Sequence, residues 1–132
     1  MKTIRVLAFA FSAAIAAPAL AESYTAVSNT AMSITVDIKL DETGITFANG
    51  KHLAFKSRVA DHLLSDGKKV KAAVYRVAKP ADPTLLNRNT FCGQPVTYVA
   101  VWKDGDSVTV APFSGAEVPR SDDAVCATYS YQ

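Results

Sequence analysis

Few residues in this sequence have the types and spacing that acid–base chemistry requires. The two histidines are His52 and His62, and His62 directly follows Asp61. A carboxylate beside an imidazole can orient it as a general base. Neighbouring residues of a strand point to opposite faces, however, so in a strand these two side chains would not meet directly. We therefore interpret both histidines as surface residues.

Acidic residues are frequent in the last third of the chain, where two short groups stand out. Such groups could provide the two carboxylates of a glycosidase or bind a cation. Adjacent acids in an Arg-Ser-Asp-Asp turn are more typical of a solvated loop. These residues are Asp104, Asp106, Asp122 and Asp123.

The sequence contains none of the spacings of metal sites, nucleophile elbows or phosphate-binding loops. A His-Glu-x-x-His helix, a Cys/His cluster and an EF-hand loop are all absent from it. We therefore predict a protein that is not an enzyme, with no catalytic residues, no metal and no cofactor.

A more suggestive feature is the segment 111–120, which reads Ala-Pro-Phe-Ser-Gly-Ala-Glu-Val-Pro-Arg between two predicted strands. Its prolines restrict the backbone, and a stiffened exposed loop loses less entropy on binding. The segment is therefore a candidate protein-binding loop, and the alternative is an ordinary loop shaped by Pro and Gly. The residues predicted to make contacts are Ser114, Gly115, Ala116, Glu117 and Arg120.

The elements that must position this loop are predicted to be strands. Residues 96–103 and 107–111 are strand-like runs on either side of Asp104-Gly105. Apolar residues occupy both faces of the first run, which favours a central strand covered on both sides. Tyr98, Ala100 and Trp102 share one face, and Val99 and Val101 share the other.

The rest of the chain continues this pattern. Residues 33–40 alternate between apolar and polar side chains, as a half-buried strand does. Asn49-Gly50, Asp66-Gly67 and Asp104-Gly105 each predict a two-residue hairpin turn of type I′. Further strands are predicted at 44–48, 51–55, 59–64, 69–77 and 125–131.

Two stretches depart from the strand pattern. Residues 55–64 also fit helical spacing, so a helix remains an alternative there. The two prolines of 79–83 predict a loop, and 84–89 can add one helical turn. About eight short strands in one chain predict an all-β fold, a small antiparallel barrel or sandwich.

The N-terminus predicts export. Lys2 and Arg5 precede an apolar run, and Ala19-Leu20-Ala21 supplies a cleavage site. We therefore predict a signal peptide at 1–21 that is cleaved after Ala21, and a single periplasmic domain at 22–132 with no stable membrane anchor. In that oxidising compartment the two cysteines of the chain, Cys92 and Cys126, are expected to form a disulfide.

Charge narrows the choice of partner. The formal charge of +2 comes from Lys2 and Arg5, so the exported domain is neutral, which argues against nucleic acid or anionic lipid as its main partner. The charges are unevenly distributed, because residues 92–132 carry five acids against Lys103 and Arg120. An acidic C-terminal third could steer a basic protein partner.

The Ser114-Gly115-Ala116 loop, in an exported all-β domain with one disulfide, resembles the bacterial periplasmic and membrane-anchored inhibitors of c-type lysozyme. In that family an S-G-A-x-Y loop enters the lysozyme cleft and places its serine near the catalytic carboxylates. Val118 stands where the tyrosine would be, and the second family motif, an aromatic-rich strand ending in Lys-Gly, is absent after this loop. The resemblance implies an eight-stranded barrel and a lysozyme or endogenous muramidase as the partner.

Two other functions remain open. A ligand-binding or envelope-assembly module would use the barrel interior, lined by inward aromatics such as Tyr98 and Trp102, or an exposed edge strand. A small hydrolase would depend on an acid pair that includes Asp122 or Glu117.

Overall fold

The computed structural model describes residues 21–132, so the predicted signal peptide, apart from Ala21, lies outside the described residues. None of the helices in the described part is long and apolar enough to cross a membrane. Three short helical turns, Ala31–Thr35, Leu86–Arg88 and Asp122–Ala124, interrupt a chain of eight strands. The strands are β1 (Glu22–Tyr24), β2 (Ile38–Asp41), β3 (Gly44–Phe47), β4 (His52–Ser65), β5 (Lys68–Ala81), β6 (Val96–Asp104), β7 (Ser107–Phe113) and β8 (Tyr129–Tyr131).

The strands form one meander in which each strand pairs antiparallel with the next. The two ends of this sheet then meet, because Thr25 and Gln132 exchange backbone hydrogen bonds of 2.7 and 2.8 Å. Ala26 forms a bridge to Tyr131 at the same seam. The predicted all-β fold is confirmed, and of its two forms the molecule adopts the barrel, nearly closed.

The barrel interior is filled by side chains from all around the sheet. Val99 and Val101 of β6, which share one face of the strand, both contribute to it. Aromatic rings fill one part of this core, where Phe91 lies between Phe47 and Tyr129 with centroid distances of 5.1 and 5.2 Å. The fully buried members include Ile45, Val96, Val110 and Tyr131.

A second core lies on the outer face of the long strands. Here Tyr98, Ala100 and Trp102 pack with Leu63 and Phe113. The chain that leaves β7 turns back over this face, and we call residues 114–128 the cover segment. Its Val118 and Val125 pack against the second core. The prediction that Tyr98 and Trp102 point into the barrel interior is wrong. Both lie on the outer face of β6 and belong to the second core, against which the cover segment packs.

Strands β4 and β5 are longer than predicted, with 14 residues each. The predicted strands 51–55 and 59–64 are two halves of β4, joined through irregularities that include shifts between Arg58 and Ala60 and between Ala60 and His62. The helical alternative for 55–64 is therefore wrong. Strand β5 runs through Pro80 to Ala81, contrary to the predicted loop at 79–83. Pro80 is tolerated because it lies in the register shift between Arg76 and Ala81.

The strands at both ends of the sheet differ from the strands predicted there. The strand predicted at 33–40 begins at Ile38, because Ala31–Thr35 forms a helical turn and Val36 adopts a positive φ of 56°. The strand predicted at 125–131 is confined to Tyr129–Tyr131. Strand β1 has three residues, too few to show a pattern.

Each of the three predicted hairpin turns contains its glycine. The turn at Asp66-Gly67 fits the prediction, and the other two differ from it in detail. Asp66 and Gly67 both have positive φ, 52° and 76°, as a type I′ turn requires. In the β6–β7 hairpin Asp104 pairs with Ser107, so the two-residue loop is Gly105-Asp106. The β3–β4 loop has four residues, 48–51, and within it the Gly50 N–H bonds to the Phe47 carbonyl at 2.9 Å. Within 84–89, where a helical turn is the expectation, Leu86–Arg88 forms a tight turn in which Asn87 and Arg88 have positive φ of 59° and 64°, so it is not a regular right-handed helical turn.

Candidate functional site

The candidate loop begins where β7 ends, and its first turn is fastened to β6. The hydroxyl of Thr97 donates to the Gly115 carbonyl at 2.6 Å and contacts the Phe113 carbonyl at 3.2 Å. Thr97 lies near the start of β6, so the loop leaves the sheet at a defined point. This contact fixes the loop backbone on the side of Ser114.

The other end of the loop is fixed by the second core and by β4. Val118 and Pro119 are half-buried, and Val118 packs into the second core. The Arg120 carbonyl accepts a hydrogen bond of 2.9 Å from the Leu64 N–H. Between the two attachments Gly115, Ala116 and Glu117 are exposed. We call these three residues the loop tip.

The predicted contact residues do not all share one surface. Ser114 is half-buried beside the loop tip, and its hydroxyl makes no hydrogen bond within residues 21–132. Glu117 belongs to the loop tip itself. Arg120 instead borders an open groove of about 580 Å³ together with His62 and Lys69. The structure therefore brings together Ser114 and the loop tip, and places Arg120 beside β4.

Two basic residues that the sequence reasoning missed lie next to the loop tip. Lys56 and Arg76 line a depression of about 240 Å³ that also includes Ala116. The Arg76 guanidinium is 5.1 Å from the centroid of the Tyr98 ring, and its Nη1 donates to the Tyr98 hydroxyl at 2.9 Å. Arg76 pairs with Tyr98 across β5 and β6. The sequence carries one signal for Arg76, which is its position on the outward-facing side of β5. That signal points to the loop tip only once the pairing of β5 with β6 is known.

The predicted disulfide joins Cys92 and Cys126, with a Cα–Cα distance of 5.0 Å. It ties the end of the cover segment to the turn before β6. That turn is itself organised by Asp82, whose carboxylate accepts backbone N–H bonds of 2.7 to 2.9 Å from Phe91, Cys92 and Gly93. Cys126 N–H also bonds to the Pro112 carbonyl at 2.9 Å. The cover segment is thus held covalently where it returns to β8.

The acidic groups serve the local structure where the contacts are defined. Asp122 accepts a hydrogen bond of 3.1 Å from the Ser65 hydroxyl, which links the cover segment to β4. Asp104 and Asp106 belong to the β6–β7 hairpin. Within residues 21–132, no group of three or more His, Cys, Asp and Glu side chains could hold a metal ion.

The expectation for His62 and Asp61 requires correction. Their side chains meet, with 3.0 Å between His62 Nδ1 and Asp61 Oδ1, although both are largely exposed. The register shift between Ala60 and His62 interrupts the alternation, so that adjacent side chains reach the same side. The hydrogen bond from His62 lowers the pKa of Asp61.

Comparisons with protein-family models, with curated proteins and with solved structures found no match to this chain.

Proposed function

We propose that this protein is an exported, non-catalytic inhibitor of lysozyme-type peptidoglycan hydrolases, and that its loop tip enters the cleft of the target enzyme. The observation that carries the proposal is the exposed loop tip held on both sides, by Thr97 at Gly115 and by the packing of Val118. A loop ordered before binding loses little conformational entropy when it binds.

The chemistry around the loop tip fits a cleft that contains carboxylates, as muramidase clefts do. Ser114 has a hydroxyl that can donate to a carboxylate. Lys56 and Arg76 lie beside Ala116 and would add positive charge at the same contact. Acids farther along the cover segment, Asp122 and Asp123, would favour the approach of a basic enzyme over longer distances.

The direct experiment mixes the purified protein with a c-type lysozyme and, separately, with an endogenous muramidase. Lysis of cell-wall suspensions and formation of a complex are measured. We expect one enzyme to be slowed and bound at about micromolar protein, which corresponds to about 8 kcal/mol of binding free energy. If neither enzyme is slowed or bound at that concentration, the proposal is wrong.

Variants test whether the loop tip makes the contact. Ser114→Ala, which removes the hydroxyl that donates to a carboxylate, and Glu117→Ala, which removes a polar contact proposed to flank the catalytic carboxylates, are each expected to weaken inhibition about tenfold, or about 1.4 kcal/mol. Ser107→Ala and Asp106→Ala are matched controls at the other end of β7, where Ser107 is half-buried as Ser114 is. Full inhibition by both loop variants would place the contact on another surface.

A non-catalytic ligand-binding module is the second candidate function. The packed barrel interior favours a surface site over the internal one, because side chains such as Val99, Val110 and Tyr131 fill the interior. The open end of the barrel provides such a surface.

A further inference from the structure

Two open depressions lie at the end of the barrel that carries the β2–β3 and β6–β7 turns. Their volumes are about 300 and 310 Å³. They share three lining residues, Tyr24, Ala73 and Val101, so they are two halves of one opening. We call this opening the mouth. The mouths of β-barrels are a frequent place for small ligands.

One half of the mouth is basic. Arg58, Lys71 and Lys103 line it, and all three are exposed. Ala72 pairs with Trp102 across β5 and β6, so Lys71 and Lys103 come next to each other one residue farther along. Within residues 21–132 the one contact within 4.0 Å between a basic and an acidic side chain is His62–Asp61, so no carboxylate there lies within 4.0 Å of these three cations. Like charges on neighbouring strands repel each other, and a bound anion would relieve this repulsion.

The other half of the mouth is acidic. Glu22, Asp41 and Glu42 line it. The Tyr24 hydroxyl donates to Glu22 Oε2 at 2.7 Å. Asp41 Oδ1 accepts a hydrogen bond of 2.7 Å from the Thr43 N–H, which fixes this carboxylate at the β2–β3 turn.

The floor between the two halves is apolar and aromatic. Tyr24, Ala73 and Val101 form the part common to both halves, and Tyr75 extends it on the acidic side, stacked on Phe55 with 4.5 Å between ring centroids. Burial raises the pKa of Tyr75, the positive charge of Arg58 opposes this rise, and the charges of Glu42 and Asp41 reinforce it. Charges from both halves therefore act on the same ring. Trp102, the single tryptophan of the chain, lines the basic half and is 7% exposed.

We propose that the mouth binds short zwitterionic peptides. The terminal carboxylate of the peptide lies among Arg58, Lys71 and Lys103, and its ammonium group lies toward the acidic half. The peptide side chains contact the aromatic floor. This charge arrangement excludes polyanions, because the acidic half would repel a second negative group.

This site is separate from the proposed inhibitory contact. Val108 borders the mouth, whereas Phe113 lies at the loop end of the same strand, β7. The two residues are five steps apart along the strand, which corresponds to roughly 17 Å. Loss of peptide binding would thus leave the inhibition of a muramidase intact, and the reverse also holds.

The test titrates the purified protein with the tripeptide Ala-Phe-Ala and follows the emission of Trp102, with calorimetry as a second measurement. We expect a saturable change with a dissociation constant at or below about 1 mM. The same peptide with an amidated C-terminus is expected to bind at least about tenfold more weakly, and with an acetylated N-terminus about threefold more weakly. Inorganic phosphate is not expected to displace the free peptide.

Variants assign the carboxylate end. Arg58→Gln and Lys71→Gln are each expected to weaken binding of Ala-Phe-Ala about tenfold and to leave the affinity for the amidated peptide unchanged. Lys79→Gln is the matched control, since Lys79 is an exposed lysine near the opposite end of β5. The proposal is overturned if no saturable signal occurs up to about 10 mM peptide, if the amidated peptide binds equally well, or if phosphate competes at equal affinity.

Discussion

The side-chain oxygens of Thr35 and Tyr131 are 2.5 Å apart inside the barrel, although the residues are 96 positions apart in the sequence. Thr35 ends the helical turn Ala31–Thr35, and Tyr131 ends the strand that closes the barrel. Both side chains are buried. The contact therefore couples closure of the sheet to the position of the segment between β1 and β2.

Replacing Tyr131 by Phe tests this coupling. Tyr131→Phe keeps the ring but removes the hydroxyl, so the hydrogen bond to Thr35 is lost. We expect the free energy of unfolding to fall by about 1 to 2 kcal/mol, as for a buried hydrogen bond whose partner retains other contacts. Urea unfolding measures the change. Ser130→Ala, at the preceding position of the same strand, is the control. A loss below about 0.5 kcal/mol would contradict the expectation.

Alkaline pH provides a second test, through Tyr129. Burial, together with the negative charge of Asp82, raises the pKa of Tyr129 to about 12, and its hydroxyl donates to the Phe91 carbonyl at 2.7 Å. The unfolded chain loses this proton at about pH 10, earlier than the folded chain. Stability is therefore complete below pH 10 and falls as the pH rises toward 12, by about 2 kcal/mol from this residue.

Urea unfolding between pH 8 and 12 measures this slope. Tyr129→Phe is the control, because it has no proton to lose and makes the curve flatter over this range. The variant is also less stable than the parent at pH 8, since the bond to Phe91 is gone. An equally steep curve for the variant would show that other groups cause the alkaline loss.

The pattern of apolar residues predicts a strand correctly where each face of that strand is covered in the same way along its whole length. Strand β6 is covered by the interior on one face and by the cover segment on the other, so its apolar residues on both faces identified it correctly. The cover segment itself has no such pattern. For this reason the sequence does not show which face of β6 points inward, and the inward Tyr98 and Trp102 expected for a ligand-binding module are wrong.

The errors at 33–40 and at His62 have a common physical origin. Alternation predicts side-chain direction only while the backbone stays extended, and it fails at Val36, which has a φ of 56°. It fails again at the register shift between Ala60 and His62. For the candidate site, the sequence predicts Ser114 and the loop tip as contacts, whereas Lys56 and Arg76 lie beside them through strand pairing that a single sequence does not provide.

The disulfide is expected to carry a large share of stability. Cys92 and Cys126 are 34 residues apart, and closing a loop of this length stabilises a fold by about 4 kcal/mol on the chain-entropy description. A variant with both cysteines changed to serine should lose about this amount in urea unfolding. Thiol titration of the native protein should find no free thiol on these two residues; one reactive thiol on each would contradict the pairing.

Asp82 is expected to be the most sensitive acidic residue for folding. Its carboxylate accepts three backbone N–H bonds from the turn that contains Cys92. Asp82→Ala should lower the free energy of unfolding by about 2 to 4 kcal/mol, because hydrogen bonds to a charged group are strong and a partly buried donor loses its partner. Asp123→Ala, at an exposed acid, should stay within about 0.5 kcal/mol. Similar values for the two variants would contradict the structural role of Asp82.

Two glycines give opposite predictions for the same substitution. Gly44 has a φ of 153°, and a Cβ there would meet His52 Nε2 at 2.7 Å as well as the Leu53 carbonyl. Gly115 has no atom within 4 Å of the corresponding position. Gly44→Ala should cost about 2 kcal/mol or more, and Gly115→Ala less than about 0.5 kcal/mol. Thermal unfolding of both variants measures this difference, and equal losses would refute it.

The cover segment contains both residues that pack on the second core and residues that are exposed. Val118 and Val125 help to bury the outer face of the sheet, whereas positions 115, 116 and 117 between the attachments are exposed. Because substitutions at these three positions leave both cores intact, natural drift or directed evolution could diversify them independently of folding. The barrel is in this sense a scaffold on which the proposed contact surface can change while expression and stability are retained.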